Sequence, residues 1–365
     1  MTRRAKHLVV ASAAVGILVA GVAIAARSLS SSTTTRRTTS PTSIPPNTTI
    51  APTTTTLPAS TVCLDRAHVT VLSGSEGRVD GSPFHFAANT AIDARSAHWG
   101  QANTYQLLLR DAGPRTRPNP CLVGGTITTP YPDTDSWTRW HGRAGLEVDE
   151  ATPQIIGTTI SREGDGIQLS RNASNWTIVG VHLSDVHDDC IEDDGMQSGL
   201  VTDSLFDGCY DFLSAQGFGG YTYDGTGHRV TIENSLVRLG DFASVSQGTS
   251  PGHAFFFKWG QDPPGLVPSN TTGHGPDLTI DDTIFMADSD TTISGHQGIG
   301  LPQWQDASGA WHDYVTRCSN DTMVWLGPGP YPEPLPSCFH VTTDRSVWTD
   351  AVAAWLAAHP ARAGS

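Results

Sequence analysis

A dense group of carboxylates lies within His187–Gly195. Five acidic side chains fall within seven residues there, and apolar, strand-like segments lie on both sides. Crowding so many charges is costly unless they bind something, catalyse something or face water. This run is therefore the first candidate for a functional site.

Two kinds of chemistry suit such a run. Carboxylate oxygens are the ligands that Ca²⁺ prefers, and a candidate calcium site would draw on Asp188, Asp189, Glu192, Asp193 and Asp194. The alternative needs no cofactor: neighbouring like charges raise and split carboxyl pKa values, so one acid can donate a proton while another carboxylate activates water. The residues leave both possibilities open.

Aspartate also recurs at the start of short apolar strands before and after the run. These strands begin at Asp165, Asp189, Asp211, Asp241 and Asp290. Each start lies five or six residues after the end of an apolar segment. If such strands stack one coil apart, ~4.8 Å, the aspartates form a column, and Gln168, Glu192 and Ser214 point outward beside it.

The apolar segments themselves predict the fold. They are short, rich in β-branched residues and bounded by Gly, Asn, Asp or Ser, at 155–160, 177–183, 200–206, 230–237 and 278–285. Aligning their ends at Ile160, Leu183, Leu205, Leu236 and Ile284 gives steps of 23, 22, 31 and 48 residues. A step near 22 with loop insertions predicts an all-β, right-handed parallel β-helix, a solenoid of stacked coils.

Insertions and the C-terminal end complete this architecture. The insertion 130–145 carries Trp137, Trp140 and His141, and such loops commonly border the binding groove of a solenoid. Residues 346–359 predict an amphipathic helix with Val347 and Trp355 on one face, which we expect to cap the C-terminal side.

Two short motifs follow one another about one coil apart, Asp165-Gly166 and Asp188-Asp189-Cys190. In order and spacing they resemble the pectin-lyase-like superfamily of parallel β-helices, in particular its polygalacturonase-type glycoside hydrolases. The resemblance implies that Asp165, Asp188 and Asp189 are the acid and base residues. Tyr210-Asp211-Phe212 stands where that group has Gly-His-Gly, and its Arg-x-Lys pair is missing.

The favoured function is cleavage of glycosidic bonds in an extracellular polysaccharide by these three aspartates. We expect Glu192, Asp211, Lys258 and Trp259 to contact the substrate. One alternative is a calcium-dependent polysaccharide lyase, in which Arg238 or Lys258 is the base. Another is a non-catalytic glycan-binding or structural module, because solenoid turns can stack aspartates in hydrogen-bonded ladders.

The N-terminal region predicts export. Leu8–Ala26 is uncharged, follows three basic residues and is long enough to span a bilayer, which favours a signal anchor at 1–26. Ala23-Ile24-Ala25 has the form of a cleavage site, so a signal peptide is the alternative. Residues 27–60 are rich in Ser, Thr and Pro and predict a disordered stalk before the folded part, 61–365.

Charge and cysteine content narrow the partners and the compartment. A net charge of −14 argues against nucleic acid as a partner. Six cysteines in an exported chain suggest disulfides, and sequence proximity favours Cys318–Cys338, with Cys63–Cys121 and Cys190–Cys209 completing the set.

Overall fold

The computed structural model describes residues 63–74, 89–100, 105–110, 119–132, 135, 137–216, 223–242, 253, 255–260, 275–288, 314–332 and 334–360. The predicted anchor or signal segment (1–26), the predicted stalk (27–60) and Asp290 lie outside these residues. Within the described ranges, no helix combines the length and apolar character needed to cross a membrane.

Short strands account for most of the described chain. In chain order they are β1 (His68–Gly74), β2 (Thr90–Trp99), β3 (Tyr105–Leu109), β4 (Cys121–Val123), β5 (Thr126–Thr128), β6 (Ala144–Val148), β7 (Gln154–Ile156), β8 (Thr159–Ser161), β9 (Asp165–Leu169), β10 (Trp176–Val179), β11 (His182–Asp193), β12 (Gly199–Thr202), β13 (Leu205–Gln216), β14 (Arg229–Glu233), β15 (Leu236–Leu239), β16 (Phe257–Gly260), β17 (Asp277–Asp281), β18 (Ile284–Ala287), β19 (Val315–Ser319), β20 (Asp321–Trp325) and β21 (Phe339–Thr342). The described helices are α1 (Trp137–Trp140) and α2 (Arg345–Ala358).

Parallel pairing between successive coils arranges these strands in three faces. Face 1 stacks β1, the first part of β2, β4, β7, β10, β12, β14, β17 and β19. Face 2 stacks the end of β2, β5, β8, β11, β13, β15, β18, β20 and β21. Face 3 stacks β3, β6, β9, the second halves of β11 and β13, and β16. The predicted parallel β-helix is confirmed.

A column of left-handed residues makes the sharp turn from face 1 to face 2. Its members have φ between 48° and 65° and are Gly157, Gly180, Asp203, Asn234, Asp282 and Asn320. Glycine, asparagine and aspartate tolerate this conformation better than other residues, which explains why they bound the apolar segments. The backbone N–H of Gly180 donates to the carbonyl oxygen of Thr202 on the next coil. The turns at Gly157, Asp203, Asn234 and Asp282 repeat this bond, so they stack as regularly as the strands.

The predicted register was wrong by one residue in three coils. Leu183 pairs with Phe206, not with Leu205, and Phe206 pairs with Val237, which pairs with Phe285. The steps are therefore 23, 23, 31 and 48 residues. The inward and outward residues could not be told apart because both are apolar here: Phe206 fills the core, while Leu205 lies outside under a helix.

That covering helix is α2. Asp344 caps its N-terminus, since its side chain accepts a hydrogen bond from Ser346 N. Trp348 and Trp355 pack on outward side chains from several coils, and Trp355 Nε1 donates to Asp203 O at 3.0 Å. Thus α2 lies along the outer side of face 2, and the prediction that it caps the C-terminal side of the solenoid was wrong.

The interior is a stack of aliphatic side chains tied by disulfides. On face 1, Ile155, Ile178 and Val201 lie in register, and each is buried. The three predicted disulfides, Cys63–Cys121, Cys190–Cys209 and Cys318–Cys338, are confirmed. The second of them joins neighbouring coils within β11 and β13, directly beside the acidic run.

Candidate active site

Three aspartates of the predicted column stack on face 3. Ile191 pairs with Ile167 and Asp189 with Asp211, so Asp165, Asp189 and Asp211 occupy equivalent positions on consecutive coils. All three side chains are at least 95% buried. Each of the three lies on its own coil, at the position where the chain turns from face 2 into face 3.

The column does not continue to Asp241, so that part of the prediction was wrong. The next strand of face 3 is β16, in which Phe257 pairs with Leu213, and Asp211 accepts a hydrogen bond from Phe255 N at 2.6 Å. Asp241 is exposed beyond the end of β15. The insertion between β15 and β16 therefore carries the chain past Asp241 before it returns to the face.

Asp188 brings a third carboxylate to the first two coils. An irregularity in β11 between Val186 and Asp189 turns consecutive residues toward the same region. Oxygens of Asp165, Asp188 and Asp189 lie within 4.8 Å of one another, and we call these residues the acidic triad. Asp189 N donates to Asp165 Oδ1 at 3.1 Å, but Oδ1 of Asp188 and Oδ1 of Asp189 are buried without a hydrogen-bond partner.

Close packing between the coils requires a glycine at position 166, directly after Asp165. A Cβ on Gly166 would lie 2.4 Å from Leu183 Cδ2 and 2.6 Å from the carbonyl oxygen of Cys190. Any larger residue would therefore push apart the two coils that carry the triad. This gives a physical reason for the Asp165-Gly166 motif.

Two basic side chains approach the triad from distant parts of the chain. Lys258 Nζ lies 3.0 Å from Asp189 Oδ2, and His141 Nδ1 lies 2.5 Å from Asp188 Oδ2. His141 follows α1, where Trp140 stacks on His187 with ring centroids 4.1 Å apart. His141 was expected only to border the groove, since nothing in the local sequence pairs it with Asp188, 47 residues away.

Burial and crowding set the charge states. Burial raises the pKa of Asp165, Asp189 and Asp211, and the neighbouring carboxylates raise it further. Burial by itself would lower the pKa of Lys258, but the charges of Asp189 and the surrounding acids outweigh it and raise that pKa well above the ordinary lysine value. Without a bound cation, Lys258 is thus the protonated counter-ion of the cluster.

Beside the triad runs a row of side chains that point out of face 3. Gln168 pairs with Glu147 and with Glu192, Glu192 pairs with Ser214, and Ser214 pairs with Lys258. The predicted outward positions of Gln168, Glu192 and Ser214 are therefore in register. Glu192 lies beside the triad, and burial followed by the neighbouring carboxylates raises its pKa.

Some predicted site residues are elsewhere. Both carboxylate oxygens of Asp193 accept hydrogen bonds, from Trp176 Nε1, Gly195 N and Gln197 N, so this residue is not part of the cluster. Trp259 was expected to contact substrate, but its ring is buried in the core and Nε1 donates to Pro276 O.

Asp194 and Asp211 border the cluster without joining the triad. Asp194 accepts a hydrogen bond from Gln168 Nε2 at 3.3 Å. Of the two candidate bases, Lys258 lies at the triad, whereas Arg238 pairs with Asp207 on face 2.

The acidic triad fits a hard cation. Its donors are carboxylate oxygens, they converge from two coils, and two buried oxygens lack partners, as in a site that expects a ligand. The other described group with suitable spacing contains Cys318, Asp321 and Cys338. Its two cysteines form a disulfide, which removes their thiolates as ligands.

Comparison with known proteins bears on the fold. No family model matches the chain, and no curated protein matches it. Among solved structures it is similar to the crystal structure of pectate lyase Pel9A, with 14% identity over 77% of this chain and 75% of that chain and a TM-score of 0.46. The fold is a parallel β-helix. This fold rests on the parallel pairing of successive coils, in which Leu183 pairs with Ile160 on one side and with Phe206 on the other.

Proposed function

We propose that this protein is a cation-dependent lyase that cleaves a uronate-containing polysaccharide by β-elimination, with Lys258 as the base. The observation that carries this proposal is the placement of Lys258 at 3.0 Å from an acidic triad that has two unpartnered buried oxygens. A lysine beside a hard-cation site is suited to abstracting a proton next to a carboxylate.

The proposed cation is Ca²⁺, held by Asp165, Asp188, Asp189 and Glu192. When bound, it would attract the substrate carboxylate and balance the negative charge of its ligands. Asp193 is left out of this ligand set because its oxygens are already satisfied. Asp194 is left out because it is bonded to Gln168.

Lys258 then has a definite task. Neutral Nζ takes the proton from C5 of the uronate, the C4–O glycosidic bond breaks, and a C4–C5 double bond forms. The leaving oxygen takes a proton from water, and Lys258 then returns its proton to the solvent. A lysine is a base only when neutral, and the carboxylates around Lys258 hold it protonated until their charge is balanced. Its partial burial supports this role, since a desolvated lysine has the lower pKa once nearby anions are neutralised.

Hydrolysis by Asp165, Asp188 and Asp189 is the second candidate. It is favoured by the raised pKa of Asp165, which keeps a buried carboxylic acid available as a proton donor. The two mechanisms differ in product: elimination leaves an unsaturated, ultraviolet-absorbing uronate, while hydrolysis leaves two saturated ends.

A purely structural ladder explains only part of the cluster. Asp165 and Asp211 each accept a backbone N–H from the next coil, as ladder residues do. Asp188 Oδ1 and Asp189 Oδ1 accept nothing, which a ladder does not require. A glycan-binding module without catalysis remains the outcome if substrate binds without turnover.

The proposed setting is outside the cell. Three disulfides indicate an oxidising compartment. Tethering to the membrane through residues 1–26 is part of the proposal.

The test is to incubate the full chain with polyuronates and neutral glycans, with Ca²⁺ or with a chelator, and to follow ultraviolet absorption and reducing ends. Calcium-dependent absorption that disappears in Asp189→Asn and Lys258→Met supports the lyase. New reducing ends without absorption, insensitive to chelator, would replace it with hydrolysis.

A further inference from the structure

The three disulfides differ in exposure to solvent. Two of the bonds lie inside the solenoid, where their cysteines are at most 1% exposed: Cys63, Cys121, Cys190 and Cys209. The cysteines of the third bond, Cys318 and Cys338, are only half-buried. A thiol from solution can therefore reach the third bond in the folded protein, whereas the other two bonds are shielded.

A buried carboxyl group lies beside this accessible bond. A carboxylate oxygen of Asp321 and the sulfur atoms of Cys318 and Cys338 lie within 4.8 Å of one another. Asp321 is 1% exposed, and within the described part of the chain its Oδ2 has no hydrogen-bond partner. Burying an unpaired carboxyl oxygen is unfavourable. A disulfide has no hydrogen to donate to that oxygen, whereas a thiol has one.

The position of Asp321 in its turn does not require a carboxyl group. Asp321 belongs to a column of residues that follow the left-handed turns, and the preceding coils have Ser204, Ser235 and Thr283 there. One oxygen is enough for this stacking: Ser235 Oγ accepts a hydrogen bond from Ser204 N at 3.3 Å. Asp321 Oδ1 accepts one from Thr283 N at 3.0 Å. The second oxygen of Asp321 is therefore not needed to hold the turns together.

We propose that Cys318–Cys338 is a site of thiol–disulfide exchange with a dithiol, and that Asp321 donates the proton to the sulfur that leaves. Cys318 packs against the hydrophobic core, so Cys338 is the sulfur that is attacked. A thiolate of the dithiol forms a bond to Cys338 Sγ, and the bond from Cys338 to Cys318 breaks, with its electron pair going to Cys318. The Cys318 thiolate takes the proton of the Asp321 carboxylic acid.

The second half of the exchange completes the reduction. The other thiolate of the dithiol attacks the mixed disulfide, so that the dithiol is oxidised to a disulfide and the cysteine pair gains two electrons. Cys338 takes its proton from water, and Asp321 regains its own proton from the solvent. The site then holds two thiols, one of which can donate a hydrogen bond to the second oxygen of Asp321.

The surroundings of Asp321 keep the acid form available near neutral pH. Burial raises the pKa of Asp321 to about 7; backbone hydrogen bonds lower it, and the charges of Asp281 and Asp282 raise it. Arg317 on β19 is engaged by Asp281 at 2.8 Å. On β21 the residue that pairs with Asp321 is Phe339, which carries no charge.

The test treats the full chain with dithiothreitol under conditions that keep it folded, then alkylates free thiols and locates them by mass spectrometry. Cys318 and Cys338 are expected to be labelled before any other cysteine. Asp321→Asn and Asp321→Ser both keep an acceptor for Thr283 N, and both should slow the opening roughly tenfold or more. Asp277→Asn, a matched loss of charge at the start of β17, should leave the rate unchanged.

Slower opening in these variants cannot come from a loosened fold, because loosening exposes disulfides and speeds their reduction. In the unmodified chain, the rate constant per dithiothreitol thiolate should fall between about pH 6 and about pH 8 as Asp321 loses its proton, and both variants should lack this fall. Equal reduction of all three disulfides, or earlier reduction of another, overturns the exchange site. Selective opening with a flat pH profile, or at an unchanged rate in both variants, overturns the role of Asp321.

Discussion

Lys258 and Asp189 are 69 residues apart in the chain, yet Lys258 Nζ lies 3.0 Å from Asp189 Oδ2. They meet because β16 is the coil that follows the second half of β13, which itself follows the second half of β11. The pair places a half-buried cation beside three buried carboxylates. If a metal ion occupies the triad, it must compete with Lys258 for the charge of Asp189.

This competition predicts that one substitution, Lys258→Met, has opposite effects on Ca²⁺ affinity and on cleavage. Lys258→Met should bind Ca²⁺ more tightly than the unmodified chain, because the competing charge is gone, yet lose cleavage by about 10²–10⁴-fold, as expected for removal of a general base. Calorimetric titration with Ca²⁺ measures the first effect, and ultraviolet absorption of the products measures the second.

Arg238→Met is the matched control for Lys258→Met. Arg238 is the other candidate base, but it pairs with Asp207 on face 2, so its loss should change neither Ca²⁺ affinity nor cleavage. Loss of cleavage in Arg238→Met, with activity retained in Lys258→Met, would identify Arg238 as the base in place of Lys258 and refute the mechanism.

The buried carboxyl groups predict an unusual dependence of stability on pH. Burial raises the pKa of Asp193 to about 7 and that of Asp194 to about 6, above the ordinary aspartate value. The folded protein therefore keeps protons that the unfolded chain has released, so chelator-treated protein should lose stability as pH rises from about 4 to about 7. Thermal unfolding should show a Tm that falls by at least ~2 °C across this window.

Asp194→Asn should flatten that pH dependence, because it removes one of the titrating groups. Asp277→Asn, on the exposed surface of face 1, should leave the slope as it is. A Tm that rises through the same window in chelator would contradict the raised pKa values.

The close contact at Gly166 predicts that alanine is not tolerated there. Gly166→Ala should cost about 1–3 kcal/mol of unfolding free energy, since the added methyl group meets Leu183 and the carbonyl of Cys190. It should also weaken Ca²⁺ binding, because the two coils of the triad move apart. Denaturant unfolding and calorimetry measure the two effects.

Gly142→Ala is the control for this substitution. A Cβ at Gly142 meets nothing within 4 Å, and the residue lies beside His141 near the same site. It should leave stability and Ca²⁺ affinity nearly unchanged. Equal effects of the two substitutions would mean that the coil spacing at Gly166 is not what positions the triad.

Removing either of two disulfides should lower the stability of the fold, but only one of them should affect Ca²⁺ binding. Replacing both Cys190 and Cys209 by alanine, or both Cys318 and Cys338, opens loops of nearly equal length, 19 and 20 residues apart in sequence. Both double substitutions should cost about 2–4 kcal/mol of unfolding free energy. Only the first should weaken Ca²⁺ binding, because Cys190 directly follows Asp189. Equal loss of binding in both would point to general loosening of the solenoid.

Much of the fold could be predicted from the sequence. Alternating apolar segments bounded by residues that accept positive φ specify short strands and sharp turns, and an almost constant step specifies a solenoid. The same repeat placed Asp165, Asp189 and Asp211 in one column, and a short sequence separation indicated the disulfide Cys318–Cys338. These features depend on residues close in sequence or one regular coil apart.

The remaining features depend on contacts that the repeat does not encode. Leu205 was aligned one residue out of register, because the alternation of inward and outward side chains disappears where α2 covers the outer surface with apolar contacts. Asp241 was assigned to the column because the length of the following insertion does not reveal where the chain rejoins face 3.

What only the tertiary structure decided is the environment of the acidic run. The sequence determined that Asp188 and Asp189 are crowded by other acids, but not that Lys258 and His141 would neutralise them from 69 and 47 residues away. Nor did it show that Trp259, next to Lys258, points into the core. In a β-strand neighbouring side chains face opposite ways, and only the packing of the coils decides which one reaches the site.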